Sequence, residues 1–381
     1  MSNTITHQLY IRNANGDLLT VVQDGYFASL QYGLKENEPG VLEFTLPNTF
    51  DRTLLVIDGQ VEVYRSYGNL GLVLEGNTAF FIRRITVATS ANGVQSISVL
   101  AFSACEILSR RIVAYYSGSS YAEKSYPWDQ LMKNIVNENF IQAQKVLSGS
   151  GTDTDRNIGA EFTTQTNELF PPTVSMSFAW RNVLSVLSEI AEVVRNQGTY
   201  ACFDVGRVGD GVFQFQVFNG ARGTDHSSDS AVPVVLSPER FNLLEPSLTE
   251  DWTQEANAIY GGGQGEGTVR IIQTATDPDR IGISPFGRRE FMHDARNSEL
   301  ASSVLSEAQG QLEANRPKKI FTGMISQTEG CLYGVHWAWG DIVTAQYDGQ
   351  VFDCHIEAIV VSVDANGTEV VQAYLRSETD A

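Results

Sequence analysis

Apolar and polar residues alternate along much of the first hundred positions, the period of two expected of strands with one buried face. Leu42, Phe44 and Leu46 alternate up to Pro47, and Val61 and Val63 keep the same rhythm. Leu9 to Ile11 and Leu18 to Val22 flank Asn15-Gly16. Phe81 to Thr89 and Val94 to Ala101 flank Asn92-Gly93. Asn-Gly accepts the positive φ of a two-residue turn, so each pair predicts a β-hairpin. No helical period of useful length occurs in residues 1–104.

Beyond residue 105 the period lengthens. Trp128, Leu131, Met132, Ile135 and Val136 make one apolar helix stripe, with Pro127 suited to the first helical position and Ser125 a nearby cap candidate. Residues 146–168 are polar and read as a loop. Trp180, Val183, Leu184, Leu187, Ala191 and Val194 line one face of a second helix, which Gly198 ends. Tyr200 to Val205 and Val212 to Phe218 predict another hairpin, and residues 219–230 an exposed linker. Strand character returns over 231–263, interrupted by Pro233, Pro238 and Pro246 and closing on the glycine run Gly261 to Gly267. A third helix is expected from Ser298 to Ala314, with Leu300, Val304, Ala308 and Leu312 on one face and Pro317 as its stop. Residues 318–381 read as strands.

The two β regions resemble each other. Ala91-Asn92-Gly93 matches Ala365-Asn366-Gly367 at an offset of 274 (365 − 91). At that offset Ile82 meets Ile356, Val87 meets Val361 and Ile97 meets Val371. The preceding strands correspond loosely, Val61 to Tyr64 with Ile342 to Ala345. Two Asn-Gly hairpins could look alike by chance, but the flanking apolar phases agree without a gap. The chain therefore reads as two copies of one β unit, and two copies per chain let three chains form a ring with six similar positions.

Composition narrows the class. The chain has 381 residues, 42% of them hydrophobic and 19% charged. A length of this order has a soft prior of two or three domains. A formal charge of −19 and a pI near 4.6 oppose binding to a phosphate backbone. They suit solubility, or a surface that nucleic acid passes without sticking. Cys105, Cys202, Cys331 and Cys354 form no CxxC pair and are expected as free buried thiols. The N-terminus shows no pattern of a signal peptide, and no window approaches a membrane span.

No arrangement of catalytic, cofactor-binding or metal-ligating residues emerges. The run Gly261 to Gly267 lacks the Gly-Lys-Ser/Thr of a phosphate loop and reads as a turn or a close backbone approach. Asp153, Asp155 and Asn157 have calcium-loop spacing, but Gly159 comes one place late and Thr164 stands where a bidentate Glu belongs. His7, His226, His293, His336 and His355 are scattered, and adjacent strand positions point Cys354 and His355 to opposite faces. No GxSxG elbow exists. Carboxylates are abundant, but nothing selects a hydrolytic pair. Gly287-Arg288-Arg289-Glu290 is a basic spot whose arginines pair either with nearby acids or across a subunit contact.

Several strings, taken together, resemble the tail-hub (baseplate hub) proteins of long-tailed bacteriophages, including the N-terminal hub part of tail-associated lysins. They are Leu9 to Arg12, Tyr32-Gly33, Val41 to Pro47, Phe80 to Arg83, Asn257 to Gly267, Phe286 to Phe291 with Asp294 to Arg296, and Trp339 to Val343. Residues 257–296 are the most specific. The resemblance implies a homotrimer in which two related β-barrel domains per subunit make a pseudo-sixfold ring. Such a ring docks on the distal tail protein, closes the tail tube below the tape measure protein until genome ejection, and carries a distal spike, fibre or lysin. DNA transits the lumen without sequence-specific binding, and the bacterial envelope is met only indirectly. Many relatives continue into peptidoglycan-cleaving or receptor-binding modules, so a chain stopping at Ala381 is expected to lack them and not to be an enzyme.

The expected fold is mainly β (α+β), with two related antiparallel β-barrel-like domains and inserted α/β domains. The first barrel-like domain spans 1–104, an inserted α+β domain 105–230, the second barrel-like domain 231–263 plus 318–381, and a small inserted domain with one helix 264–317. The expected location is the virion tail tip after assembly in the host cytoplasm. Trp337 and Trp339, read as exposed aromatics, motivate the alternative of a receptor- or carbohydrate-binding adhesin.

Overall fold

The computed structural model describes residues 5–68, 70–114, 122–142, 156–178, 180–296 and 298–380. β1 (Ile5–Arg12) and β2 (Leu18–Gln23) turn at Asn15-Gly16, where Gly16 takes φ +92°. β3 (Ser29–Lys35), β4 (Glu38–Pro47), β5 (Gln60–Tyr67), β6 (Val73–Leu74), β7 (Phe80–Thr89) and β8 (Gln95–Ser103) complete the first β region. The alternation read from sequence sends Leu30, Tyr32, Leu34, Leu42, Phe44 and Leu46 into the core. Their neighbours Ser29, Gln31, Glu43 and Thr45 face the other way and line a surface groove.

The first inserted segment holds β9 (Ala122–Pro127), α1 (Trp128–Val136), β10 (Phe162–Thr164), β11 (Thr173–Phe178), α2 (Val183–Asn196), β12 (Ala201–Gly209) and β13 (Val212–Asn219). The α1 stripe Trp128, Leu131, Met132, Ile135 and Val136 is fully buried. Pro127 flanks this helix as the last residue of β9, and Ser125 is not its cap; the Ser125 hydroxyl hydrogen-bonds Ser175 across the β9–β11 pair at 2.6 Å. Trp180 lies outside α2, with φ +54° and an exposed side chain, because Asn182 starts that helix by accepting from the Ser185 N–H. Gly198, at φ +82°, ends it as expected.

This segment is locked to the first β region tip to tip. A Cβ on Gly211, at the β12–β13 turn with φ +67°, would sit 2.5 Å from the Asn15 carbonyl oxygen. Beside that contact Arg12 pairs with Glu62 at 3.0 Å and with Asp210 at 3.1 Å.

β14 (Asp225–His226), β15 (Val235–Leu236) and β16 (Leu243–Asp251) return to the large sheet. A second inserted segment then holds β17 (Ala258–Gly262), β18 (Ile272–Thr276), α3 (Pro278–Ile281), β19 (Glu290–Asp294) and α4 (Ala301–Ala314). Residues 258–262, expected with the second β region, pair instead with β18 and β19 in a separate three-stranded sheet. The glycine run is a close approach: a Cβ on Gly261 or Gly263 would meet Val304 of α4 at 2.9 or 2.6 Å. Val304, Ala308 and Leu312 are buried, whereas Leu300 precedes the helix and is 57% exposed.

β20 (Lys318–Ile325), β21 (Ile342–Tyr347), β22 (Gln350–Val363) and β23 (Glu369–Asp380) finish the chain. The repeat holds at the level of the ladder. Val87 pairs with Ile97, and Val361 pairs with Val371. The bulge between Ile82 and Arg84 recurs between Ile356 and Ala358, the same offset of 274 (356 − 82). The looser match needs a shift of one residue. Val61 pairs with Phe80 as Val343 pairs with Cys354, so Val61 corresponds to Val343 and not to Ile342.

The two copies are not separate barrels. β3 pairs with β22, Leu30 against Val363 through Lys35 against Ala358, so both copies join one 15-stranded sheet. Its main path runs β16-β20-β23-β22-β3-β4-β8-β7-β5-β1-β2, and it closes into no barrel among the described residues.

Candidate functional site

The sheet offers one polar, concave face across the junction of the two copies. Gln31 of β3, Glu43 and Thr45 of β4, Ser98 of β8, Arg84 and Thr86 of β7 and Ser362 of β22 line a groove of about 490 Å³. Alternation on the pleat puts these side chains opposite the buried apolar set. Among its polar side chains hydroxyl and amide groups outnumber charges, and apolar atoms, Leu100 and Val370 among them, share the surface. The charged lining residues are Glu43, Asp364 and Arg84, so the groove is nearly balanced and does not concentrate the chain's −19.

Behind this face a buried ionic cluster joins the copies. Arg65 of β5 donates from Nε and from a terminal nitrogen to the two oxygens of Glu369 on β23, each at 2.7 Å. His7 Nε2 lies 3.1 Å from the same carboxylate. The guanidinium also donates to the Tyr333 carbonyl at 3.2 Å and lies 4.9 Å from that ring's centre. The Tyr333 hydroxyl donates to Glu75. Burial pushes the Glu75 carboxyl and the Tyr333 phenol up. Burial also opposes ionisation of Glu369, but hydrogen bonds from Arg65 and His7 win and hold it below the usual carboxylate range.

A second groove, of about 790 Å³, lies where the inserted segments meet β22 and β23. Tyr200 donates to Glu36 at 2.6 Å, and Arg195 donates to the same oxygen at 2.9 Å. His355 stacks on Tyr200 with ring centres 3.4 Å apart. Burial is the main cause that raises Glu36 and Tyr200 and that lowers His355 to about 4. A tyrosine that keeps its proton and a neutral histidine stacked on it make a rigid contact between segments. Neither is arranged as a base beside a nucleophile.

Cys105, Cys202, Cys331 and Cys354, expected as free buried thiols, are free and buried. Among the described residues no cluster of three metal-binding side chains forms. Asp153 and Asp155 of the calcium-like spacing lie outside the described residues. Arg288 pairs with Glu290 at 2.6 Å, and Arg289 with Glu255 at 3.6 Å, so both arginines use acids of their own chain.

Trp337 and Trp339 are buried, 2% and 6% exposed, and this corrects the reading of them as surface aromatics. Trp339 donates to the Glu357 carbonyl at 3.1 Å, and Arg222 covers its ring at 3.9 Å. The ionic cluster has no signal in the sequence. Its partners Arg65 and Glu369 lie 304 positions apart and His7 lies farther still, and no local pattern pairs them. No helix of the described residues is long and apolar enough to cross a membrane.

Comparison with known proteins bears on this architecture. The family model described as siphovirus ReqiPepy6 Gp37-like protein matches residues 8–375. The tail protein from Neisseria meningitidis MC58 superposes with a TM-score of 0.54 at 11% identity, covering 97% of this chain and 96% of that one. The 43 kDa tail protein of prophage MuSo2 from Shewanella oneidensis gives 0.54 at 12% identity, covering 97% and 98%. Prophage tail protein gp18 from Listeria monocytogenes EGD-e gives 0.50 at 14% identity, covering 97% and 94%. No curated protein matches. A joined pair of β units with two inserted segments is thus a fold shared with phage tail proteins, and the chain belongs to the siphovirus ReqiPepy6 Gp37-like protein family.

Proposed function

We propose that the chain is the hub of a phage tail tip. Three copies form a ring with six similar positions, dock on the distal tail protein below the tape measure protein, and close the tube until the genome is ejected. A spike, fibre or lysin hangs below and meets the envelope. In this reading the hub itself does no chemistry. It assembles in the host cytoplasm and ends in the virion.

One observation supports this above the others: the two hairpins share register and bulge residue for residue, so each chain offers two equivalent positions. In the ring the polar face looks inward. Ser, Thr and Gln side chains with one arginine give passing DNA few cations to bind. The adhesin alternative loses its motive with the burial of Trp337 and Trp339.

Native mass measurement of the chain mixed with its distal tail protein tests the reading. Three copies per complex are expected. A chain that stays single in that mixture contradicts it.

A further inference from the structure

β7 and β22 are the same strand in two copies, yet only one is covered. β22 divides its outer edge: residues 350–355 pair with β21, and Ala358 to Val363 pair with β3. β7 gives Phe80 and Phe81 to β5 in the place of β21. From Arg84 to Thr89 it then has β8 alone as a neighbour among the described residues. Exposure follows this difference: Val361 is 0% exposed and Val87 42%.

The missing partner stands at the far end of the same run of strands. β16 lies outside β20 as β3 lies outside β4, and β20 and β4 flank the equivalent strands β23 and β8. Leu243 pairs with Ile325 as Leu30 pairs with Phe44. The outer edge of β16 has no strand on it among the described residues. β16 and β7 end the run β16-β20-β23-β22-β3-β4-β8-β7, so a second chain can supply what each lacks.

We infer that β16 of one copy pairs antiparallel with Arg84 to Thr89 of β7 in the next copy, repeating between chains the β3–β22 junction made within one. The inference rests on the ring reading above and names its contact. The pair Gly33 and Val360 within the chain becomes Ser247 opposite Thr86 between chains. The two residues Glu245 and Pro246, where β16 bulges against β20, then stand opposite Val87. A bulge tolerates the N–H that proline lacks. Continuing the ladder brings Thr249 and Glu250 to Arg84 and Arg83. Glu250 then stands beside Arg83, which already pairs with Asp58 of its own chain at 2.7 Å, so the junction places acids on both sides of that cation. The pairing also removes a strand edge that would otherwise recruit unrelated strands.

A disulfide across the junction tests this. The double variant Thr86→Cys, Ser247→Cys is assembled with the distal tail protein, oxidised mildly and run without reductant. Paired positions of an antiparallel ladder bring Cα atoms within disulfide range. Covalent dimers and trimers are expected, while Gly33→Cys with Val360→Cys gives only a bond within one chain. A three-copy particle in which the control bond forms and the Thr86–Ser247 bond does not overturns this contact and leaves the ring reading standing. A single chain in the same mixture overturns both. A Thr86–Ser247 bond formed within one chain also overturns the inference.

Discussion

Arg65 grips Glu369 with two parallel hydrogen bonds of 2.7 Å, and those two bonds span the two copies of the repeat. Both side chains are buried, 3% and 1% exposed. Removing one partner strands the other charge away from water. Arg65→Ala should therefore cost about 3–5 kcal/mol in denaturant unfolding. Arg65→Lys, which keeps the charge and loses the fork, should cost less. A loss under about 1 kcal/mol for Arg65→Ala would place the pair with ordinary surface ion pairs and refute the role given to it.

His355 makes stability depend on pH. Burial first, and Arg195 second, hold its folded value at about 4, against about 6.5 when unfolded. A base with a lowered folded value binds more protons in the unfolded state. Stability is thus intact above pH ~6.5 and is lost as pH falls toward about 4, by about 3 kcal/mol in all. His355→Phe, which keeps a ring against Tyr200, should flatten the unfolding midpoint over that window. An unchanged slope would show that other groups govern it.

Gly211 and Gly93 have similar backbones and different surroundings. At Gly93, with φ +79°, a Cβ would meet nothing within 4 Å, so Gly93→Ala should cost only the left-handed backbone preference of about 1 kcal/mol. Gly211→Ala adds a clash 2.5 Å from the Asn15 carbonyl oxygen. It should cost about 2 kcal/mol or more and loosen the first inserted segment from the β1–β2 turn. Hydrogen exchange at Asn15 and Gly16 would report that loosening, and equal protection in both variants would deny the contact.

Hairpins, three helices and the offset of 274 are legible in the sequence alone, because turn residues and apolar period are properties of neighbours along the chain. The β3–β22 junction is not such a property: Leu30 and Val363 are joined by nothing short of the whole chain. The match of β5 with β21 slips by one for a specific reason. β5 is buried on both faces, with Gln60 and Glu62 inside as well as Val61 and Val63, so alternation could not set its phase. Trp337 and Trp339 sit between strands where no period exists, and only packing against Tyr333 and Arg222 reveals that they are core. Trp180 and Leu300 fit helix stripes in sequence because each lies just before a true helix start, where periodicity continues and the backbone does not.

Val87 and Val361 separate folding from assembly. Val361→Asp buries an unpaired charge in the core and should unfold the chain. Val87→Asp places the same charge on a 42% exposed edge and should leave the unfolding free energy within about 0.5 kcal/mol. The same Val87→Asp chain should lose at least about tenfold in assembly with the distal tail protein, the effect of about 1.4 kcal/mol at the contact. Normal assembly of Val87→Asp would count against the β16–β7 contact.

The central claim, a three-chain hub with six similar positions, is tested most directly by an averaged image of the tail tip looking down its axis. The account predicts three copies of this chain, six similar lobes around the lumen, and polar sheet faces turned inward. A tip holding one copy, or six copies of the chain, would contradict it.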